Sequence, residues 1–232
     1  MTKISVLIPA YQESAILPHT VKRLLAQMEK LGQSFEIIIC DDGSKDDTVS
    51  VIEALGYPQV RCVTGAHLGK GGSLARGMME ATGELVFYTD ADLAYGTAVI
   101  PRFLSVLEKR EADVVVGSRA LHKAGYAGYS FGRRLFSKGY RQALRILGGI
   151  RVTDAQCGCK AYTQKAAKAL FYRISEHGFA FEFETLLRAE KQGLCVRELP
   201  VKIVKNGTSH VRPLRDGLLM LRAAIRIKKK YK

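Results

Sequence analysis

Asp90 and Asp92 stand two residues apart in "YTDADL", directly after the apolar run "GELVF". That run reads as a buried strand. The carboxylates therefore fall at a strand end, where charge is excluded unless it is paired or put to use. Asp41 and Asp42 follow a second apolar run, "FEIIIC", in the same way. Asp-x-Asp at a strand end can hold Mg²⁺ or Mn²⁺ and leave coordination positions open for diphosphate oxygens. It can also cap a turn or a helix, and for the motif alone capping is the commoner role. An aspartate there can equally accept the ring N–H of a uracil or a ribose hydroxyl. Gly69-Lys70-Gly71-Gly72 opens a helical pattern. Its spacing excludes a Walker loop. Glycines here either let backbone approach a ligand beside the Lys70 charge or make a flexible helix start.

Alternating elements are needed to bring these groups together. "ISVLIPAY", "FEIIIC", "VRCVTG", "ELVFYTD" and "ADVVVGSR" read as strands. Between them, "ILPHTVKRLLAQMEKLG", "DDGSKDDTVSVIEAL", "GKGGSLARGMMEATG" and "AVIPRFLSVLEKR" read as helices with their turns. This alternation predicts an α/β fold, a doubly wound, mostly parallel sheet with helices on both faces. Ligands of such sheets sit beyond the carboxyl ends of the strands, where the strand order reverses. Further on, "DAQCGCKAYTQKAAKALF" reads as a glycine turn into a helix, "FAFEFETLLRAEKQG" as a helix and "VRELPVKIV" as a strand. With no linker or repeat, the whole span 1–232 reads as a single domain. It ends in a basic amphipathic helix at about 213–231, with Leu214, Leu218, Leu221 and Ile225 along one stripe.

The chain has 232 residues and a formal net charge of +14. The charge is segregated. Arg119 to Arg151 holds eight Lys/Arg and no acid, and Lys202 to Lys232 holds ten Lys/Arg and one acid, Asp216. An anionic partner is expected: phosphate, nucleic acid or an acidic membrane surface. The basic segments carry no recognisable RNA or DNA motif, and the aspartate clusters have no task there, so a nucleic-acid partner is not expected. The first strand begins almost at Met1, which leaves no room for a signal peptide. No window reaches the length of a membrane-spanning helix. Five cysteines, with Cys157 and Cys159 too close for an easy mutual disulfide, read as reduced thiols and a cytoplasmic location.

Taken in order, "VLIPAYQE", "DDGSKDDT", "GKGGSLARG", "TDADL", "GSR", "RVTDAQCGCKAYT", "FAFEFETLL" and "ELPVKI…GTSHV" resemble the family 2 glycosyltransferases of the GT-A fold over nearly the whole chain. "DDGS" and "DAD" carry the broad resemblance. "DAQCGCKAYT" with "GKGG" is narrower and is most similar to the dolichyl- and polyprenyl-phosphate hexosyltransferases, the dolichyl-phosphate β-glucosyltransferase type above all. The resemblance implies an inverting, metal-dependent transfer of a hexose, glucose foremost, from a UDP-sugar to a polyprenyl phosphate. It also implies a peripheral position on the cytoplasmic face of a membrane. Pro9, Tyr11 and Glu13 match positions that contact base and ribose, and Asp41 or Asp42 the position that reads the uracil. Asp90 and Asp92 match the metal and diphosphate ligands, with Ala91 backbone near the nucleotide. Arg119 matches an arginine near the acceptor phosphate, and Arg133 and Ser137 a pair that grips that phosphate. Some positions depart. Asn is usual where Gln12 stands, an aromatic where Cys159 stands, Asp where Glu182 stands and Lys where His210 stands. Mannosyl-type members often carry Gln at the position of Ala94, which points away from mannosyl transfer.

A phosphate acceptor is already ionised near neutral pH and needs no strong general base. No His–carboxylate pair stands out in the sequence. A saccharide or small-molecule hydroxyl acceptor would need one, for which Glu182, Glu184 and Asp154 are the candidates.

Overall fold

Strand β1 (Ile4–Ala10) is built to be covered twice. Ile4, Val6 and Ile8 face one side and Leu7 the other, and all four are fully buried. Fully burying each such side chain favours folding by about 1.5–3 kcal/mol before chain entropy is counted. The computed structural model describes residues 3–126, 149–204 and 213–231, with isolated positions 139, 142, 144 and 146, and the backbone alone from 213 to 218. Among these, β1 is followed by α1 (Leu17–Glu29), β2 (Phe35–Asp41), α2 (Thr48–Glu53), β3 (Val60–Val63), α3 (Lys70–Glu80) and β4 (Leu85–Thr89). Then come α4 (Ile100–Glu108), β5 (Val114–Ser118), β6 (Cys159–Thr163), α5 (Gln164–Phe171), α6 (Phe181–Lys191), β7 (Val196–Pro200) and α7 (Pro213–Lys230).

The strands form one sheet in the order β3-β2-β1-β4-β6-β5-β7. β1, β2, β3 and β4 are mutually parallel, and β5 runs parallel to β7. β6 is antiparallel to both of its neighbours. The sheet is thus mostly parallel, as its alternating pattern predicts. One core packs α1 and α4 on one face, through Leu17, Leu24, Phe103 and Leu104. The other packs α3, α5, α6 and α7 through Leu74, Met78, Leu170, Leu186 and Ile227. Strand order reverses between β1 and β4, so the ligand crevice of such a sheet falls at their carboxyl ends.

One local reading changes. "CKAYT" is a strand, β6, and not part of a turn leading into α5. It is only five residues long and covered on both faces, so it shows no alternation of polar and apolar residues. Its one charge, Lys160, is fully buried. On α7 the structure adds a packed face, which the sequence pattern alone does not assign. Its packed face is Ala223, Ala224 and Ile227, all buried, and not the Leu221–Ile225 stripe. Leu219 and Ile225 are exposed and Leu221 is half-buried. The side chains of Leu214 and Leu218 lie outside the described residues, as does most of the acid-free segment after Tyr126.

At the amino ends of the strands, a buried carboxylate holds three elements together. Glu36 on β2 accepts from Ser5 Oγ at 2.7 Å, Thr82 N at 2.9 Å and Thr82 Oγ1 at 2.6 Å. Arg61 donates through Nε at 3.2 Å. Burial alone would raise the Glu36 pKa, but these donors outweigh it and bring it down to about 2.

Candidate active site

The carboxyl ends of β1, β2 and β4 gather most of the residues singled out by their chemistry. Pro9 ends in β1, and the Tyr11–Glu13 turn follows it. This turn is sewn to the loop after β2: Gln12 N donates to Ser44 Oγ at 2.9 Å, and Glu13 N to Thr48 Oγ1 at 2.9 Å. Gln12 holds φ at +55°. Asn tolerates this left-handed region better than other side chains with a Cβ, which is a physical reason for Asn to be usual at this position.

Asp41 and Asp42 are both buried, and both carboxylates serve the loops around them. Asp41 accepts from the backbone N–H groups of Gly43 at 3.0 Å and Ser44 at 3.2 Å. It is therefore a turn cap. Asp42 accepts from the N–H groups of Leu68 at 2.9 Å and Gly69 at 2.8 Å, which fixes the approach to α3. It also pairs with His67, Nδ1 to Oδ2, at 2.8 Å. His67 stacks on the exposed Tyr11 with ring centroids 4.3 Å apart. Sequence reasoning missed this His–carboxylate pair, because its members lie 25 residues apart and meet only across the β2–α3 crossover.

The glycines of α3 serve protein packing. Gly69 enters the helix at φ +105°, which suits glycine. A Cβ at Gly71 would stand 2.6 Å from Phe181 Cβ, and one at Gly72 2.6 Å from Leu68 Cβ. The first-turn amides of Gly71 and Gly72 donate to His177 O at 2.6 and 3.2 Å. The glycines thus let the 176–181 segment close on the start of the helix. This places Lys70, the first helical residue, over the end of β4.

At β4 the charges interlock. Lys70 Nζ lies 2.7 Å from Asp90 Oδ1 and 3.7 Å from Glu182 Oε1. Lys160, fully buried, lies 3.2 Å from Glu182 Oε2, an ion pair outside hydrogen-bonding geometry, so this oxygen accepts no hydrogen bond. Tyr88 OH donates to Glu182 Oε1 at 3.0 Å, and Lys160 Nζ donates to Tyr88 OH at 3.1 Å and Cys157 O at 2.7 Å. Burial works against a charged Lys70, but Asp90 and Glu182 outweigh it and hold its proton more tightly than in an ordinary lysine. Burial likewise raises the Tyr88 hydroxyl well above its usual range, reinforced by Glu182. Asp90 keeps about a third of its side chain exposed, at 36%. It leans on Gly158, where a Cβ would come within 2.0 Å of Oδ2. Asp92 Oδ1 accepts from Ala94 N at 3.0 Å, and Leu93 between them holds φ at +50°. Ala91 O accepts from Thr20 Oγ1 at 2.5 Å, tying the motif to α1.

Arg119 follows β5, but its guanidinium is turned into the protein. Nε and Nη2 donate to Asp154 Oδ2 and Oδ1 at 2.7 and 2.8 Å, and Nη2 also to Gln156 O at 3.3 Å. Its charge is paired with the fully buried Asp154. Arg133 and Ser137 lie outside the described residues, as does His210.

The three carboxylates considered as bases are all engaged. Asp154 is held by Arg119. Glu182 is shared by Lys160, Tyr88 and Lys70. Glu184, fully buried, accepts from Ser175 N at 3.0 Å, Ser175 Oγ at 2.9 Å, Glu176 N at 2.8 Å and Tyr231 OH at 2.7 Å. Burial pushes the Cys157 thiol up to about 12, so it stays protonated.

Comparison with known proteins agrees with this arrangement. The profile of Glycosyl transferase family 2 matches residues 5–171. The Drosophila melanogaster dolichyl-phosphate beta-glucosyltransferase is 30% identical over 99% of this chain and 75% of its own length. Glycosyltransferase AglD of Haloferax volcanii is 29% identical over 94% of this chain, which spans only 36% of that longer protein. In structure, glucosyl-3-phosphoglycerate synthase from Mycobacterium tuberculosis, in complex with Mn²⁺, UDP and glucosyl-3-phosphoglycerate, superimposes with a TM-score of 0.70. That comparison has 23% identity and covers 97% of this chain and 78% of the synthase. The sheet, its reversal point and the Asp-x-Asp at the end of β4 are those of the GT-A fold, and the chain belongs to the family 2 glycosyltransferases.

Proposed function

We propose that this chain moves a hexose, with glucose the expected sugar, from a UDP-sugar to a polyprenyl or dolichyl phosphate with inversion at the anomeric carbon. One observation carries the choice of acceptor. The three carboxylates that a hydroxyl acceptor would call on as base are at most 4% exposed and are held by protein donors. An acceptor that arrives as an oxyanion needs none of them. The beta-glucosyltransferase relatives, named for dolichyl phosphate, support the same choice.

Donor binding falls to the β1–β2–β4 edge. Tyr11 and His67 offer a stacked aromatic surface for a base, with Pro9 and Glu13 beside it. Asp41 and Asp42 fix the loops that shape this surface. Asp90 and Asp92 supply hard oxygen donors suited to Mg²⁺ or Mn²⁺. Diphosphate oxygens and water can fill further positions on such an ion. An ion held there would neutralise charge on the departing diphosphate. Gly158, without a side chain, makes room for the Asp90 carboxylate where it stands. Lys70 adds a second positive charge at the same edge. Arg133 and Ser137 remain the proposed grip on the acceptor phosphate.

The exposed face of α7 is the proposed membrane contact. Leu219 and Ile225 stand out from the fold at 52% and 42% exposure, with Arg222, Arg226 and Lys229 around them. Among the described residues no helix is long and apolar enough to cross a membrane. An apolar strip flanked by basic residues suits the surface of an anionic leaflet, on the cytoplasmic side.

The deciding experiment is a product assay with UDP- and GDP-sugars, with and without Mn²⁺ or Mg²⁺. Its acceptors are polyprenyl phosphate and 3-phosphoglycerate. Transfer from UDP-glucose to the lipid phosphate is expected. Transfer to 3-phosphoglycerate alone would replace the lipid with a small soluble acceptor. Flotation with anionic liposomes tests α7 separately: Arg222, Lys229 and Lys230 changed to Gln should release the protein, and unchanged flotation would remove α7 as the anchor.

A further inference from the structure

Lys70 has two carboxylates within reach and satisfies only one of them. It lies 2.7 Å from Asp90 Oδ1 and 3.7 Å from Glu182 Oε1. Glu182 is 4% exposed, and its Oε1, the oxygen facing Lys70, accepts a hydrogen bond from Tyr88 OH at 3.0 Å. A carboxylate oxygen has two lone pairs, so Oε1 can take a second, charged donor beside Tyr88. Closing the 3.7 Å gap to a charge-assisted distance of about 2.8 Å requires the ammonium to travel about 1 Å. The flexible stem of a lysine accommodates this without backbone movement. The aromatic faces of Tyr88 and Phe181, with ring centroids 5.8 and 6.0 Å from Nζ, line the path on the protein side.

The same Asp90 is a proposed metal ligand, and an ammonium and a divalent ion cannot both sit on one carboxylate oxygen. We propose that Lys70 is the resident countercation of Asp90 and yields the carboxylate to an incoming divalent ion by moving onto Glu182. Glu182 is thereby a positioning residue of the donor site, in place of the general-base role considered for it. This rests on the reading of Asp90 and Asp92 as metal ligands.

Charge bookkeeping supports the exchange. Lys70, Lys160, Asp90 and Glu182 together are neutral, so this buried cluster is stable before the donor arrives. With Asp90 on a metal ion, Lys70 would be left beside a cation unless another carboxylate took it. Glu182 is that carboxylate, with a free lone pair on Oε1 for a charged donor beside Tyr88. The exchange keeps every buried charge paired on both sides of the binding step.

The test is Mn²⁺ affinity, measured by titration calorimetry in the presence and absence of UDP, on four full-length proteins: wild type, Lys70→Met, Glu182→Gln and the double variant. Lys70→Met removes the competitor and should tighten Mn²⁺ on the order of tenfold. Glu182→Gln removes the landing place, keeps Lys70 on Asp90 and should weaken Mn²⁺ by a similar factor. The double variant decides the matter, because without Lys70 the loss of Glu182 should change nothing further, within about twofold. Additive effects would reduce both residues to background charge and overturn the exchange. Wild type that takes up no Mn²⁺ even with UDP would defeat the metal-site reading itself, a separable failure. Glu182→Gln strands Lys160 in the core, so the variant can fail to fold. A crystal structure of the wild type with Mn²⁺ and UDP then serves as the direct readout. Lys70 within 3.2 Å of Glu182 is expected, and Lys70 still on Asp90 would overturn the proposal.

Discussion

Glu36 and Asp90 hold opposite ends of the same sheet, and they are satisfied in opposite ways. Glu36, at the amino ends, is closed in by Ser5, Thr82 and Arg61, and its side chain is 10% exposed. Asp90, at the carboxyl ends, has one lysine, a glycine behind it and 36% of its side chain exposed. The first arrangement fixes three elements and leaves nothing to bind. The second is neutral and, as proposed above, exchangeable, held among the described residues by Lys70. Saturation by backbone and hydroxyl donors marks a structural carboxylate. Pairing with one flexible side chain beside open space marks a carboxylate available to a ligand.

The contrast can be broken most severely at the open end. Asp92→Ala should reduce transfer on the order of a thousandfold or more, with metal-dependent UDP binding lost and the thermal midpoint almost unmoved. A fall in thermal midpoint that matched the loss of activity would make Asp92 a structural residue like Glu36.

The converse substitution is Glu36→Ala. It orphans the hydroxyl and amide donors and Arg61 together, and should cost about 2–4 kcal/mol in urea unfolding while leaving turnover per folded molecule unchanged. Its pH dependence sharpens the point. The folded-state pKa of Glu36 is depressed to about 2 from 4.5. Its stabilisation is therefore fully present above about pH 4.5 and is lost as pH falls toward 2. Wild type should lose stability through that window, and Glu36→Ala should lack this part of the slope.

Gly158→Ala probes the room behind Asp90. The atoms nearest the added Cβ are those of the Asp90 carboxyl group, which can turn away. Activity should drop roughly tenfold to a hundredfold through misplacement of the carboxylate. Stability should change by less than about 1 kcal/mol, because the closest clash is with the flexible end of the Asp90 side chain. The smallest expected effect is at Gln12, whose φ of +55° suits Asn. Gln12→Asn should raise stability by about 0.5 kcal/mol, read from the urea midpoint, with donor affinity intact.

Most of the sheet was legible because its strands are apolar runs between helices of 3.6-residue period. β1, β2, β4 and β5 and the aspartates at their ends needed no tertiary information. What escaped depends on partners distant in sequence. Lys160 reads as a surface lysine until Glu182 and Tyr88 are placed around it. His67 and Asp42 read as unrelated until the crossover to α3 brings them within 2.8 Å. The pairing of Arg119 with Asp154 spans 35 residues of sequence and shows only once the fold brings them together. On α7 the leucine stripe drew attention because large apolar residues dominate a helical pattern. The face that packs is made by Ala223 and Ala224, small enough to let the helix approach α6 closely.

The insertion of β6 between β4 and β5 bears on the order in which the molecule can assemble. β4 and β5 follow one another in the chain, yet β4 has a free edge until Cys159–Thr163, about 70 residues beyond Thr89, has been synthesised and aligned. A nascent chain that has not reached this point exposes an apolar edge strand, the kind of surface that recruits chaperones or aggregates. Such distant antiparallel pairing is slow to form compared with local contacts. Gly158, which cradles Asp90, immediately precedes β6, so the Asp90 end of the ligand crevice cannot take shape before the sheet is closed. Partly synthesised or misfolded chains therefore lack a finished Asp90 end of the crevice, and the proposed metal binding becomes a late marker of complete folding.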